Sequence, residues 1–200
     1  MPRIETITRT LYAIDELSDK ARAHAIEKYR EHNLDYDWWE LIYEDARAIG
    51  ARMGITVDGI GFSGFWSQGG GAHFEGAYRY VKGAVKAVRD HTGAGDAELI
   101  RIAEELQRIQ RPHFYRVTAT VKHRGHYQNE YCAATEVDDG SGNGAPRTLE
   151  DDIKEALRDF MRWIYRRLET EYEYQQADEQ IIESIKANGL EFTIEGGTAR

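Results

Sequence analysis

The strongest periodicity in the chain lies in its last third. Leu149, Ile153, Leu157, Phe160, Ile164, Leu168 and Tyr172 recur at intervals of three or four residues. That spacing gathers them on one face of a helix over 149–174, about 39 Å long at about 1.5 Å per residue. Met161, Trp163 and Tyr165 broaden the face, and Thr148-Leu149-Glu150-Asp151 resembles a capping box at its start. A second helical stripe runs through Leu99, Ile102, Ala103, Leu106 and Ile109, with Asp96 placed to cap it and Pro112 to end it.

Earlier, Ser18 is placed to cap a helix reaching about His32, with Ala21, Ala25, Ile26 and Tyr29 facing inward. Asp35 is placed to cap another through about Met53, with Trp38, Leu41, Ile42, Ala46 and Ile49 at helical spacing and Gly54 as its stop. Residues 83–91 and 178–188 predict shorter helices. Strand-like stretches occur at 4–14, 55–62, 72–81, 114–124, 127–137 and 190–194. In the fourth of these, Tyr115, Val117, Ala119, Val121 and His123 alternate with polar residues, as in a half-buried strand. Arg124-Gly125-His126 is placed to turn it into the fifth.

The strands come in hairpin-like pairs rather than in a βαβ series. The expected class is therefore α+β: a mostly antiparallel sheet packed against helices, with one long amphipathic helix near the C-terminus. With 200 residues and no convincing linker, residues 1–200 read as a single domain, with 196–200 as a frayed tail.

Charge narrows the range of partners. The formal net charge is −9, and residues 139–200 carry 14 acids against 8 bases. Such an acidic protein is not expected to bind nucleic acid in general, although its surface suits a basic partner or mimicry of nucleic acid. The lone cysteine, Cys132, excludes an internal disulfide and fits a reducing, cytoplasmic setting. It lies in a strand-like run and reads as a small buried filler. No apolar run approaches the roughly 18 residues of a membrane span.

The least ordinary segment is the connection between the second and third strand-like stretches, Gly64-Phe65-Trp66-Ser67-Gln68-Gly69-Gly70-Gly71. It lacks the Lys and the hydroxyl residue of a phosphate loop. Two large rings beside mobile backbone make it either a binding loop or a tightly turned connection. Three consecutive glycines cost entropy to order, so a purely structural loop would gain from replacing one. An enzyme reading, as a small hydrolase or nucleotide-binding protein, would need Ser67, His73, Glu75 and the hairpin histidines His123 and His126, with Glu130 and His113 as candidate neighbours, to share a pocket. Their spacing matches no standard metal set, so neither a metal nor another cofactor is expected, and no catalytic set is assigned. On the long helix, Arg158, Arg162, Arg166 and Arg167 alternate with acids. Asp159 is placed to pair with Arg162, and Arg166 with Glu169. With Trp163 and Tyr165 at its edge, that face is either a solvated surface or a mixed-charge recognition ridge. The candidate binding set is Phe65, Trp66, Ser67, Gln68, Gly69, Gly70, Gly71, Arg162 and Tyr165.

Residues 64–76, together with 156–165, Leu168-Glu169 and 171–174, resemble a family of small phage and mobile-element proteins loosely labelled antitoxins of toxin–antitoxin stability systems. Residues 17–23 and 33–39 fit as well, so the resemblance spans about 10–195. It implies an antitoxin-like inhibitor or regulator acting by protein–protein interaction on a host or competing-element protein. It implies no reaction. The family's glycine block resembles Gln-Gly-Asp-Gly, whereas this chain has Gln68-Gly69-Gly70-Gly71, so no loop carboxylate is implied.

Overall fold

The computed structural model describes residues 8–93 and 95–198. The chain divides into two units, 39–169 and a second built from both ends, 1–38 with 170–200.

The central unit holds four strands, β1 (Ile55–Ser63), β2 (Gly71–Arg79), β3 (Thr118–His123) and β4 (Ala133–Asp138). They form one sheet in the order β1-β2-β3-β4, every pair antiparallel. The helices of this unit are α2 (Glu40–Met53), α3 (Ala84–Thr92), α4 (Ala97–Gln110) and the first part of α5 (Arg147–Gln176). The fold is thus α+β, an antiparallel sheet packed against helices, with a long helix near the C-terminus.

Alternation decides which sheet face is covered. Phe74 and Tyr78 on β2, Ala119 and Val121 on β3, and Ile55 and Val57 on β1 are buried. Glu75, Ala77, Arg79, Thr118 and Thr120 on the other face are exposed. A bulge at Asp58 shifts the β1–β2 register between Val57 and Gly59. Opposite it, a Cβ on Gly76 would lie 1.9 Å from the Thr56 carbonyl oxygen, so only glycine fits there.

The long helix behaves as its spacing predicts. Leu149, Ile153, Leu157, Phe160, Ile164 and Leu168 are all buried, and the Phe160 ring meets Phe74 edge-on at 5.9 Å. The helix begins at Arg147, so Thr148 lies inside its first turn rather than capping it. Asp96 has two roles. One carboxylate oxygen accepts the Leu99 amide at 3.1 Å and caps α4, and the other accepts the Trp163 indole N–H at 2.7 Å. Arg162 pairs with Asp159 at 2.8 Å as predicted, and Arg166 pairs with Glu98 on α4.

Two expectations for α2 fail. Asp35 does not cap it, because the carboxylate pairs with His32 at 3.0 Å and the helix starts at Glu40. Leu41 is exposed, because the buried face of α2 runs through Ile42, Ala46, Ile49 and Met53, and Leu41 lies about 140° around the axis from Ala46. The β3–β4 connection is also longer than predicted. Residues 130–132 form a 3-10 turn, and Cys132 sits there half-buried rather than in a strand.

The terminal unit has its own core, made of Ile14, Leu17, Ala21, Ala25, Ile26, Ile181, Ile185 and Phe192. Its helices are α1 (Asp19–Arg30), the end of α5, and α6 (Asp178–Ala187). Ser18 caps α1 by accepting the Ala21 amide at 3.4 Å. Asn33 donates to the Gln175 carbonyl at 2.6 Å, and Arg30 bonds Asp178 at 2.6 Å. The strands expected at 4–14 and 190–194 are reduced to isolated bridges, Tyr12 to Phe192 and Phe192 to Thr198, with 4–7 outside the described residues. Ile14–Glu16 winds into a 3-10 turn instead. Residues 196–198, expected to fray, fold back: the Thr193 amide donates to the Gly197 carbonyl at 2.7 Å. Residues 199–200 lie outside the described residues.

Candidate functional site

The β1–β2 hairpin loop, 64–70, is a packed structure with one exposed tip. The Phe65 ring stacks between Tyr165 of α5, at 5.3 Å, and Phe62 of β1, at 6.0 Å. Phe62 in turn meets Trp39 and Tyr43, at 6.0 and 6.4 Å. The Tyr165 hydroxyl donates to the Gly64 carbonyl at 2.7 Å. Burial, followed by Glu169 and Glu130, raises the pKa of that hydroxyl, so it keeps the proton it donates.

The glycines are needed for close approach. Gly69 has φ 86°, and a Cβ there would lie 3.0 Å from the Tyr127 ring. A Cβ on Gly70 would lie 2.5 Å from the Gly64 carbonyl oxygen and 2.9 Å from the Tyr165 hydroxyl, and one on Gly71 would lie 2.5 Å from Asn129 Cβ. The expectation that a structural loop would gain from replacing one of them does not survive these contacts. The run is tightly packed, and its entropy cost is offset by that packing.

At the tip stands Trp66, 70% exposed, with φ 61°. A non-glycine residue in the left-handed region costs about 1–2 kcal/mol. Two more exposed rings, Tyr127 and Tyr131, come from the β3–β4 connection, and Asn129 between them donates to the Gly69 carbonyl at 3.2 Å. Behind them, Arg162 bonds Glu130 at 3.1 Å, Glu155 at 2.7 Å and Asp159 at 2.8 Å. Burial works against the Arg162 charge, but the hydrogen bonds to Glu155 and Glu130 outweigh it and raise the pKa. Arg158 lies over the Tyr131 ring at 5.0 Å.

The structure therefore joins both parts of the predicted binding set. Tyr165 bonds the loop directly, and Arg162 bonds Glu130, next in sequence to the Asn129 that donates to Gly69. Ser67 turns the loop by accepting the Gly70 amide on its carbonyl, at 3.1 Å, and Gln68 is exposed beside it. Sequence reasoning missed Tyr127, Asn129 and Tyr131 because it read 127–137 as strand. Asn129 was the available signal: its side chain accepts the Tyr131 amide at 3.1 Å, a local turn that strands exclude.

The residues of the enzyme reading come together only in part. The His73 ring stacks on His123 at 4.1 Å, and Glu75 accepts the His123 amide at 3.0 Å. His73 is only 5% exposed, however, Ser67 belongs to the loop turn, and His113 follows α4 in a separate 3-10 turn. Among the described residues, no group of three or more His, Cys, Asp or Glu side chains is arranged to hold a metal ion. No helix among them is long and apolar enough to cross a membrane.

These features define an α+β protein with an aromatic surface at one end of its sheet. Residues 38–178 match the family described as a domain of unknown function (DUF8835), and the chain belongs to that family. The matched stretch contains the whole central unit. No curated protein and no solved structure matches the chain.

Proposed function

We propose that this is a non-catalytic binding protein that inhibits or regulates a partner protein by occupying its surface, with the end bearing Trp66 as the docking face. The observation that carries the reading is Trp66 itself, a large ring held exposed on left-handed backbone by a loop otherwise packed tight. Tyr127 and Tyr131 are exposed on the β3–β4 connection that Asn129 bonds to the same loop, and Trp and Tyr are the residues that most often dominate interface energetics. Fixed rings lose little side-chain entropy on docking, which favours affinity. The acidic balance of residues 139–200 suits a partner with a basic surface, approached by electrostatic steering. The resemblance to phage and mobile-element proteins points to a host or competing-element protein in the cytoplasm. The non-catalytic reading is supported by the burial of His73, which is only 5% exposed.

The test is comparative capture from host extract with the parent chain and the Trp66→Ala, Tyr131→Ala double variant as baits. A protein retained by the parent and lost by the variant, with equal unfolding midpoints for the two baits, supports the reading. Identical capture by both baits, or turnover of a small molecule by the parent, overturns it.

A further inference from the structure

A second aromatic surface lies at the opposite end of the sheet, and its charge differs from that of the whole chain. Arg79 closes β2 and pairs in register with Thr118, which opens β3. Beyond this pair the chain carries Tyr80 on one side and Phe114-Tyr115 on the other. The Tyr80 and Tyr115 rings lie 4.4 Å apart. Phe114 is 81% exposed, and both Phe114 and Tyr115 have positive φ, 52° and 61°.

This backbone is firmly held. The Tyr115 amide donates to the Gln110 carbonyl at 3.0 Å, and the Arg116 amide to the His113 carbonyl at 3.2 Å. The buried Gln110 side chain then clamps both backbone groups of Val117. Two consecutive left-handed residues are positions suited to glycine, yet both carry rings. The strain supports the display of Phe114 in water, which contributes nothing to the core.

Arg79, Lys82, Arg111 and Arg116 surround the rings. All four are exposed, and none makes an ion pair among the described residues. Elsewhere in this unit Arg89, Arg101, Arg108, Arg162 and Arg166 are each matched to a carboxylate. Asp138, opposite Thr118 in register, and Asp139 accept amides of their own loop, from Gly140 at 2.8 Å and Ser141 at 2.9 Å. Beside the rings, Thr56, Ala77, Arg79, Thr118 and Thr120 line a shallow cavity of about 200 Å3 on the open sheet face.

We infer that this end binds single-stranded nucleic acid, with bases stacking on Phe114 and on the Tyr80–Tyr115 pair and phosphates meeting the four cations. Exposed planar rings interleaved with unpaired guanidinium groups are the elements of a stacking platform along a phosphate chain. The threonine-lined cavity on the open sheet face offers hydroxyl groups beside the rings to a sugar-phosphate backbone. The net charge of −9 opposes approach from a distance, but exposed charges are screened beyond about 8 Å at physiological salt. Contact is therefore governed by the local cations. The acidic balance of the whole chain still disfavours general, charge-driven binding to duplex DNA.

Fluorescence anisotropy with labelled oligodeoxythymidylate and oligouridylate of about 15 nucleotides tests the inference. Saturable binding is expected at about 50 mM salt, weakening about fifty-fold by about 200 mM if four phosphates are contacted. Phe114→Gly should weaken it at least about fivefold, the loss of one stacked base, without lowering the unfolding midpoint. The Arg111→Ala, Arg116→Ala double variant should weaken it and flatten the salt dependence. A preference between the two oligonucleotides would assign the sugar. No saturable binding at low salt, or full binding by Phe114→Gly, overturns the inference. Tighter binding of a Glu- and Tyr-rich peptide of matched charge than of either oligonucleotide would overturn it in favour of an acidic-peptide site.

Discussion

The Tyr165 hydroxyl and the Gly64 carbonyl oxygen, 101 positions apart in sequence, are 2.7 Å apart in space, and this bond fastens the hairpin loop to the long helix. Tyr165→Phe should cost about 0.5–1.5 kcal/mol, the net value of one such bond. Gly70→Ala should cost about 1–3 kcal/mol, because the new methyl group meets backbone that cannot move aside. Urea unfolding measures both. A stabilising Gly70→Ala would mean that the loop is looser than its packing indicates.

Leu157 lies at the centre of the buried face of α5 and is fully inaccessible. Leu157→Ala should destabilise by about 2–5 kcal/mol, the sum of lost transfer energy and a cavity that neighbours cannot fill. A change below about 0.5 kcal/mol would show that this face is not core.

Gln110 is the buried polar residue on which the α4–β3 junction depends. Its amide nitrogen donates to the Val117 carbonyl at 2.7 Å, and its oxygen accepts the Val117 amide at 3.2 Å. It also meets the Tyr78 hydroxyl, whose pKa burial pushes up to about 12. Gln110→Ala leaves two buried backbone groups without partners, an expected cost of about 2–4 kcal/mol. Equilibrium unfolding would read it, and a loss under about 1 kcal/mol would show that water replaces the side chain.

His73 should make the fold sensitive to acid. Burial lowers its pKa first and His123 lowers it further, with Glu75 and a bond to the Gln128 backbone opposing in part. The unfolded chain takes up this proton near the ordinary value of about 6.5, whereas the folded chain does so only at lower pH. Stability is therefore full above about pH 6.5 and falls as pH drops toward the folded value, because the unfolded state binds more protons in that window. His73→Phe keeps a ring to stack on His123 but cannot take the proton. Its unfolding midpoint should fall less between about pH 7.5 and about pH 5.5 than that of the parent. An equal fall in both would assign the acid sensitivity to other groups.

What the sequence made legible was local. The Ser18 and Asp96 caps, the Gly54 stop and the α5 stripe each depend on residues within a turn or two, so spacing alone found them. The failures involve partners distant in sequence. Arg166 reaches Glu98 on α4, a carboxylate 68 positions away that spacing along one helix does not reveal. The glycine run looked wasteful until Tyr127, Asn129 and Tyr165 closed around it. The stretches at 4–14 and 190–194 had strand composition, but their described residues form only bridges. Half of the candidate site, Phe65 and Trp66 with Tyr165, was visible as unusual rings. The other half was hidden by reading Asn129 as part of a strand.

The terminal unit joins residues from both ends of the chain, and this sets an order of events during synthesis. Ala21, Ala25 and Ile26 are made well before Ile181, Ile185 and Phe192, which complete their core. At about 5–20 residues per second, the gap between residues 38 and 181 is roughly 7–30 s. Residues 39–169 can collapse within that interval, since their core is contained in one continuous stretch. The apolar stripe of α1 stays uncovered meanwhile, open to chaperones or to another newborn chain, and a ribosome that stalls before Ile181 would release a protein with its sheet formed and its first helix still without a core.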